Sequence, residues 1–140
     1  MNLLVAHDGS EQSDKALAAA YQLAGKLGAA ITVLTVVPDL CLSSEEVSIN
    51  ECNLITKSLY TDAQAALQRA VDKGADKAVK IEVLIKEGHP VDQIIAAAAE
   101  TKADFIVLGA HGKHGGGKYL LGSVSSKVAM HSNGNVIIIK

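Results

Sequence analysis

Residues 105–125 read FIVLGAHGKHGGGKYLLGSVS. The opening run, 105–108, is apolar at every position and has the length of a buried strand. Five of the next ten residues are Gly, and a Gly-rich loop between a buried strand and a helix exposes several backbone N–H groups. Such a loop suits a phosphate group, although a Gly-rich segment that only turns the chain is the alternative. We therefore interpret the segment as a strand followed by a candidate phosphate-binding loop.

The rest of the chain repeats this strand-then-helix pattern. Short apolar runs rich in Val and Ile alternate with longer stretches of helical period, which is typical of a parallel sheet. Because several of the runs are apolar at nearly every position, helices are expected on both faces of the sheet. The pattern predicts an α/β fold with a doubly wound five-stranded parallel sheet, in a single domain spanning residues 1–140. The predicted strands are residues 3–7, 31–37, 80–85, 105–110 and 136–139.

Helix signals lie between these strands. Ser10 is a predicted N-cap and Gly28 a predicted stop signal for the first helix. Pro90 is well placed as the first residue of the third helix, since its missing N–H costs nothing there. The fourth helix is predicted over residues 123–131. The start of the second helix is ambiguous, and the sequence SSEE at 43–46 is one candidate capping box.

Composition argues against several classes of function. Thirteen Lys and Arg against fifteen Asp and Glu give a net charge of -2, so no overall positive field exists to hold nucleic acid. The absence of Trp and the single Phe leave few aromatic platforms for stacked bases. No apolar stretch approaches membrane-spanning length, and the first residues lack the pattern of a signal peptide. We expect a cytoplasmic protein that binds neither nucleic acid nor a membrane.

The cysteines and histidines predict no metal site built by the protein. Cys41 and Cys52 lack a second pair or a His partner at the spacing of tetrahedral zinc sites. Free thiols in a reducing compartment are therefore expected. His111 and His114 lie in the Gly-rich loop without a nearby acidic or Cys ligand, so phosphate contact or plain solvation is the better interpretation. His7 belongs to no evident cluster and is interpreted as structural or exposed.

Polar residues follow the first and fourth predicted strands, at the edge of the sheet where open α/β folds bind ligands. Asp8 has two interpretations, because its carboxylate could cap the following helix or face a ribose hydroxyl or a cation. Residues 122–125, GSVS, begin the predicted fourth helix. The unpaired amides and positive dipole end of a helix start favour an anion.

Evidence for catalysis is thin. No Ser lies in a nucleophile-elbow sequence, and no paired carboxylates or nucleophile-base arrangement can be assigned. Residues 112–119 approach a P-loop, but Tyr119 replaces the Ser or Thr that would hold magnesium. We treat that match as coincidental, while Lys113 and Lys118 still add local positive charge. Binding is better supported than turnover, and no catalytic residue is predicted.

One spaced motif resembles a known family. Gly109-Ala110-His111-Gly112, then nine residues, then Gly122-Ser123, resembles the pattern of ATP-binding universal stress proteins. Residues 5–10, VAHDGS, and 87–90, EGHP, resemble the same family. The resemblance extends over essentially the whole chain and implies a sheet order of 3-2-1-4-5, with the first and fourth strands adjacent.

The resemblance also implies a ligand and a set of residues that bind it. The expected cofactor is ATP, with Mg or Mn carried on its phosphates, and the expected partner is a second copy of the chain. The predicted cofactor-binding residues are Ala6, Asp8, Val36, Leu108, Gly109, His111, Gly112, Gly122, Ser123, Val124 and Ser125. The predicted homodimer forms through the last strand, at Val136, Ile137, Ile138 and Ile139.

The implied function is that of a stress-response regulatory module whose ATP occupancy changes a dimer or partner surface, with an unknown protein partner. Whether the protein is also an enzyme stays open, and binding without turnover is favoured. One alternative is a weak ATP hydrolase or autophosphorylating phosphotransferase. Others are a nucleotide-free dimeric scaffold and a cyclic AMP sensor.

Overall fold

The computed structural model describes residues 1–41, 48–74, 78–112 and 121–140. Strands and helices alternate along it, as predicted. The described elements are β1 (Asn2–Ala6), α1 (Glu11–Leu27), β2 (Ala30–Val37), α2 (Ile49–Gly74), β3 (Ile81–Glu87), α3 (Pro90–Glu100), β4 (Phe105–Gly109), α4 (Ser123–His131) and β5 (Asn135–Ile139). The strands pair in parallel in the order β3-β2-β1-β4-β5. The predicted fold and strand order are confirmed.

Helices cover both faces of the sheet. Alternate side chains of each strand point to opposite faces, so each strand contributes to two cores. Leu3 and Val5 of β1 are buried in a core with α1 and α2, whereas Leu4 is buried in a second core with α3 and α4. Each core is apolar, and burying a Leu or Val side chain contributes roughly 1.5–3 kcal/mol. This two-faced burial explains why the strands are apolar at nearly every position.

Most helix ends lie where the local signals place them. The Ser10 hydroxyl accepts a hydrogen bond from the Ser13 N–H at 3.1 Å, and Gly28 ends α1 in the left-handed conformation with φ of 63°. Pro90 begins α3, and α4 spans Ser123–His131 as predicted. These signals act over a few residues, so they can be recognised without the tertiary structure.

The start of α2 is set by a capping box one turn later than the candidate in the sequence. The Glu51 N–H donates to the Ser48 hydroxyl at 3.3 Å, and the Ser48 N–H donates back to the Glu51 carboxylate at 3.2 Å. This reciprocal pair satisfies two amides that a helix start leaves without partners. The candidate at residues 43–46 lies outside the described residues.

The two cysteines are joined, so the prediction of free thiols is wrong. Cys41 and Cys52 form a disulfide with their Cα atoms 5.6 Å apart, a usual separation for this bond. Cys52 is buried in the first turn of α2, and Cys41 is exposed in the segment after β2. The bond therefore ties the connection between β2 and α2 to the start of the helix.

Across the described part of the chain, no helix combines the length and the apolar character needed to cross a bilayer.

Candidate functional site

The carboxyl ends of β1 and β4 meet at one edge of the sheet. The two strands are paired in register, with Val5 opposite Val107, so the segments that follow them begin side by side. A Cβ atom added to Gly112 would lie 2.7 Å from Oδ2 of Asp8. The structure thus brings together the predicted ligand Asp8 and the last Gly of the G-x-x-G motif.

The first Gly of that motif lies against the first turn of α1. A Cβ atom on Gly109 would approach the backbone carbonyl carbon and oxygen of Gln12 to 2.9 Å, closer than real Cβ atoms come to backbone. Only Gly therefore allows the end of β4 to pack so closely on α1. This close approach holds the start of the loop next to the segment that carries Asp8.

The two ends of the Gly-rich loop are joined by hydrogen bonds. The Gly122 N–H donates to the Ala110 carbonyl at 2.7 Å, and the Ser125 hydroxyl donates to the same oxygen at 2.8 Å. A Cβ atom on Gly122 would lie 3.1 Å from that oxygen, which is a tight contact. These bonds place the N-terminus of α4 beside the G-x-x-G segment. Because the Ser125 hydroxyl is engaged here, its backbone N–H is the group better placed to contact a ligand.

The N-terminus of α4 has the features of an anion site. Gly122 is its N-cap, no side chain caps the helix, and its first turn contains no acidic residue. The N-terminus of α1 differs, because the Ser10 side chain caps it and Glu11 and Asp14 lie in its first turn. The first amides of a helix have no intrahelical acceptor and carry the positive end of the dipole. Of these two helix starts, α4 is the one left open to an anion.

A cleft of about 370 Å³ extends from Asp8 along the ends of β1 and β2, a size within the range of small-ligand pockets. Val36, a predicted ligand, lines it together with Asp8. One helix, α2, forms the opposite wall, and no motif in the sequence predicts this wall. That wall includes Asp62 and Arg69. Arg69 is the only arginine of the chain, and its place on this wall became apparent only once α2 was located over β2.

Two buried side-chain polar atoms have no hydrogen-bond partner within the described ranges. They are Oε1 of Gln12 and Nδ1 of His111. Leaving a buried polar atom unpaired costs about 1–3 kcal/mol, and a polar ligand that paired with it would remove that cost. His111 was a predicted ligand, whereas Gln12 was not. No sequence motif predicts Gln12 as a ligand. Gln12 lies at the site because the end of β4 packs on α1 at Gly109.

The remaining predicted residues lie near the same edge. Ala6 ends β1 and Leu108 is the penultimate residue of β4, and both pack against the core shared by α3 and α4. Ser123 and Val124 form the first turn of α4. The loop residues Lys113, His114, Lys118 and Tyr119, and the Gly run at 115–117, lie outside the described residues. In the described segments, no group of three or more His, Cys, Asp or Glu could hold a metal ion.

Comparison with known proteins identifies the family. The profile of the universal stress protein family matches residues 1–140. The chain belongs to the universal stress protein family. The family predicted from the spaced Gly-Ser motif is therefore confirmed.

Individual universal stress proteins match over nearly their whole length. Universal stress protein YxiE of Bacillus subtilis is 32% identical in an alignment of 147 positions, gaps included, that covers 99% of this chain and 97% of that protein. The solved structure of UspA from Lactobacillus plantarum has a TM-score of 0.90 at 28% identity, covering 100% of this chain and 97% of that one. A universal stress protein solved in complex with cAMP has a TM-score of 0.73 at 28% identity, covering 99% and 95%.

Proposed function

We propose that this universal stress protein binds ATP, or a closely related adenine nucleotide, at the carboxyl edge of the sheet between β1 and β4. The observation that supports this most directly is the uncapped N-terminus of α4, hydrogen-bonded to the G-x-x-G segment that also contacts Asp8. An anion-binding helix start beside a carboxylate matches the needs of a nucleotide, which carries phosphates at one end and ribose hydroxyls next to them.

The phosphates would lie against the start of α4. In the proposal, the backbone amides of Ser123, Val124 and Ser125 donate to phosphate oxygens, and the Ser123 hydroxyl adds a further hydrogen bond. Gly109, His111, Gly112 and Gly122 form the adjoining surface, where the absence of Cβ atoms at the three glycines lets the ligand approach the backbone. Mg²⁺ or Mn²⁺ would bind to the phosphates and offset their charge.

The ribose and base would occupy the neighbouring part of the edge. Asp8 would accept hydrogen bonds from ribose hydroxyls, the Val36 backbone would contact the adenine, and Ala6 and Leu108 would support the base and sugar from below. The cleft along β1 and β2 supports this arrangement, because it contains both Asp8 and Val36. The solved relative in complex with cAMP supports the adenine class of ligand.

In the cell, the protein would act as a regulatory module. Residues 1–140 would act as one cytoplasmic stress-response domain, and nucleotide occupancy would shift the population of a partner-binding surface. The module would form a homodimer through the exposed edge of β5, at Val136, Ile137, Ile138 and Ile139. Binding without turnover is the proposed mode, because no nucleophile-base arrangement is assigned in the sequence. The Ser125 hydroxyl is already engaged by backbone carbonyls, which disfavours it as a phosphate acceptor.

A cAMP sensor is the second candidate, favoured by the cAMP complex of the structural relative. The two ligands differ in the free 3′-hydroxyl and the polyphosphate tail that only ATP carries. A preference for ATP would depend on the amides of α4 and on Asp8. A site that prefers cAMP would instead have to fit a single phosphate that bridges the 3′ and 5′ oxygens of the ribose.

Isothermal titration calorimetry with ATP, ADP and cAMP tests the proposal, together with an assay for release of labelled phosphate from ATP. Asp8→Ala should weaken ATP binding by about tenfold or more, since a hydrogen bond to a charged group contributes roughly 1.5–3 kcal/mol. Asp72→Ala, which removes an exposed carboxylate of α2, is the matched control and should bind ATP like the wild type.

Analogues of ATP that lack the 2′- or 3′-hydroxyl sharpen the test. Removal of the hydroxyl that Asp8 contacts should weaken binding to the wild type but not to Asp8→Ala. No measurable ATP binding by the wild type would refute the proposed site. Binding of cAMP at least tenfold tighter than ATP would favour the second candidate, and steady phosphate release would assign an enzymatic role.

A further inference from the structure

We propose that His7 is a positioning residue that holds the turn carrying Asp8 in its ligand-binding conformation. The inference rests on the proposed function insofar as Asp8 contacts nucleotide. His7 is the first residue after β1, and its side chain is 4% exposed. The sequence marked it only as structural or exposed, with no partner in view.

The backbone of His7 is held from β2. The His7 N–H donates to the Leu34 carbonyl at 2.8 Å, and the Thr35 hydroxyl donates to the His7 carbonyl at 2.9 Å. Both partners belong to the neighbouring strand. Because both its backbone N–H and its carbonyl are hydrogen-bonded and its side chain is buried, His7 holds the imidazole ring in a fixed position.

The imidazole ring makes two contacts with opposite roles. Its Nδ1 accepts a hydrogen bond from the Gly9 N–H at 3.3 Å, and its Nε2 lies 2.8 Å from Oδ1 of Asp14 on α1. An accepting Nδ1 and a donating Nε2 define the neutral Nε2–H tautomer. Asp14 is the group that selects this tautomer, because its carboxylate accepts a hydrogen bond from the Nε2–H. Asp14 therefore keeps Nδ1 available as an acceptor for the Gly9 amide.

The Gly9 amide lies in the turn that presents Asp8. Gly9 has a φ of 82°, in the left-handed region, and the Ser10 N–H donates to Oδ1 of Asp8 at 2.9 Å. The imidazole thus holds the middle of the turn while Asp8 closes it. Oδ2 of the same carboxylate faces Gly112, so loss of the Gly9 contact would let Asp8 swing away from the loop.

Two amide substitutions separate the contacts of the ring. In His7→Asn the side-chain oxygen can take the place of Nδ1, which keeps an acceptor for Gly9 and loses the contact to Asp14. In His7→Gln the amide nitrogen can take the place of Nε2, which keeps the contact to Asp14 and loses the acceptor. His131→Gln, in the last turn of α4, is the control for the introduction of a glutamine.

Hydrogen exchange of the Gly9 and Ser10 amides, measured by NMR without nucleotide, gives a readout independent of ATP. Exchange should be about two- to tenfold faster in His7→Gln than in His7→Asn, in proportion to the loss of one hydrogen bond. ATP affinity should follow the same order, with His7→Asn within about threefold of the wild type and His7→Gln about tenfold weaker. Equal exchange rates in the two variants would overturn the positioning role.

The proposed function and the positioning role fail in different ways. If the wild type does not bind ATP, the proposed function fails while the exchange contrast still decides the role of His7. If ATP binds and the contrast is absent, only the role of His7 fails. Should His7→Gln not fold, the long-range ¹H–¹⁵N spectrum of the wild-type ring decides the matter. The Nε2–H tautomer supports the proposal, and a proton on Nδ1 overturns it.

Discussion

Gly112 lies directly against the carboxylate of Asp8, with only 2.7 Å between Oδ2 and the place where a Cβ atom would stand. The two residues are far apart in the sequence and follow neighbouring strands of the sheet. Their contact is the point at which the G-x-x-G segment meets the segment after β1, so a change at Gly112 acts on Asp8 first.

Gly112→Ala should weaken ATP binding by about tenfold or more, because the added methyl group displaces the Asp8 carboxylate that we expect to contact ribose. The backbone at Gly112 is not in the left-handed region, so the unfolding free energy should fall by less than about 1 kcal/mol. Calorimetry and urea denaturation provide the measurements. Gly25→Ala is the control, since a Cβ atom there meets nothing within 4 Å. Unchanged ATP affinity in Gly112→Ala would contradict the site.

Reduction of the Cys41–Cys52 bond should lower the unfolding free energy by about 2–3 kcal/mol, since the bond closes a short loop in the unfolded chain. Urea denaturation with and without dithiothreitol measures the difference, and thiol titration confirms the redox state. The double variant Cys41→Ser/Cys52→Ala should be insensitive to dithiothreitol. Two free thiols in the protein purified without reductant would show that the bond does not form under those conditions.

Tyr21→Phe should lower stability by about 1 kcal/mol at neutral pH. The Tyr21 hydroxyl donates to the Ala70 carbonyl at 2.6 Å and joins α1 to α2. Burial raises the pKa of Tyr21 above its ordinary value of 10.0. The stabilisation is therefore complete below pH 10 and is lost as the pH rises through the folded-state value.

The unfolding free energy of the wild type should accordingly fall more steeply above pH 10 than that of Tyr21→Phe, and the two should converge. Denaturation curves at several alkaline pH values measure this convergence. Because both proteins contain the same lysines, the contribution of lysine titration to the pH dependence cancels in the comparison. A constant difference across the alkaline range would show that Tyr21 does not titrate with unfolding.

Ile138→Pro should convert the proposed homodimer into a monomer. The Ala110 N–H donates to the Ile139 carbonyl, so the backbone of Ile139 faces β4 and that of Ile138 faces the open edge. Proline there removes a donor that a second β5 strand would need. Sedimentation equilibrium measures the mass.

Val83→Pro provides the matched control for the β5 edge. The Ile31 N–H donates to the Lys80 carbonyl, which by strand alternation turns the Val83 backbone to the open edge of β3. A dimer that persists in Ile138→Pro and dissociates in Val83→Pro would place the interface on β3.

Local sequence signals predicted most of the fold. Ser10, Gly28 and Pro90 mark helix ends through interactions within a few residues, and the apolar runs mark strands that are buried on both faces. The spaced Gly-Ser motif led to the family and, through it, to the strand order. Asp8 and the two ends of the Gly-rich loop were predicted from the residues and Val36 from the family resemblance, and the structure places all of them at the same edge of the sheet.

The sequence by itself determined the element types, both ends of α1, the start of α3 and the residues that follow β1 and β4, because these depend on short-range sterics and periodicity. Only the tertiary structure decided the partners of His7, the pairing of Cys41 with Cys52, the unpaired oxygen of Gln12 and the place of Arg69 on the cleft wall. Each of these depends on how two elements cross or fold back on one another. Residue spacing along the chain does not contain the angle and distance of such a crossing, which packing sets once the sheet and its helices have assembled.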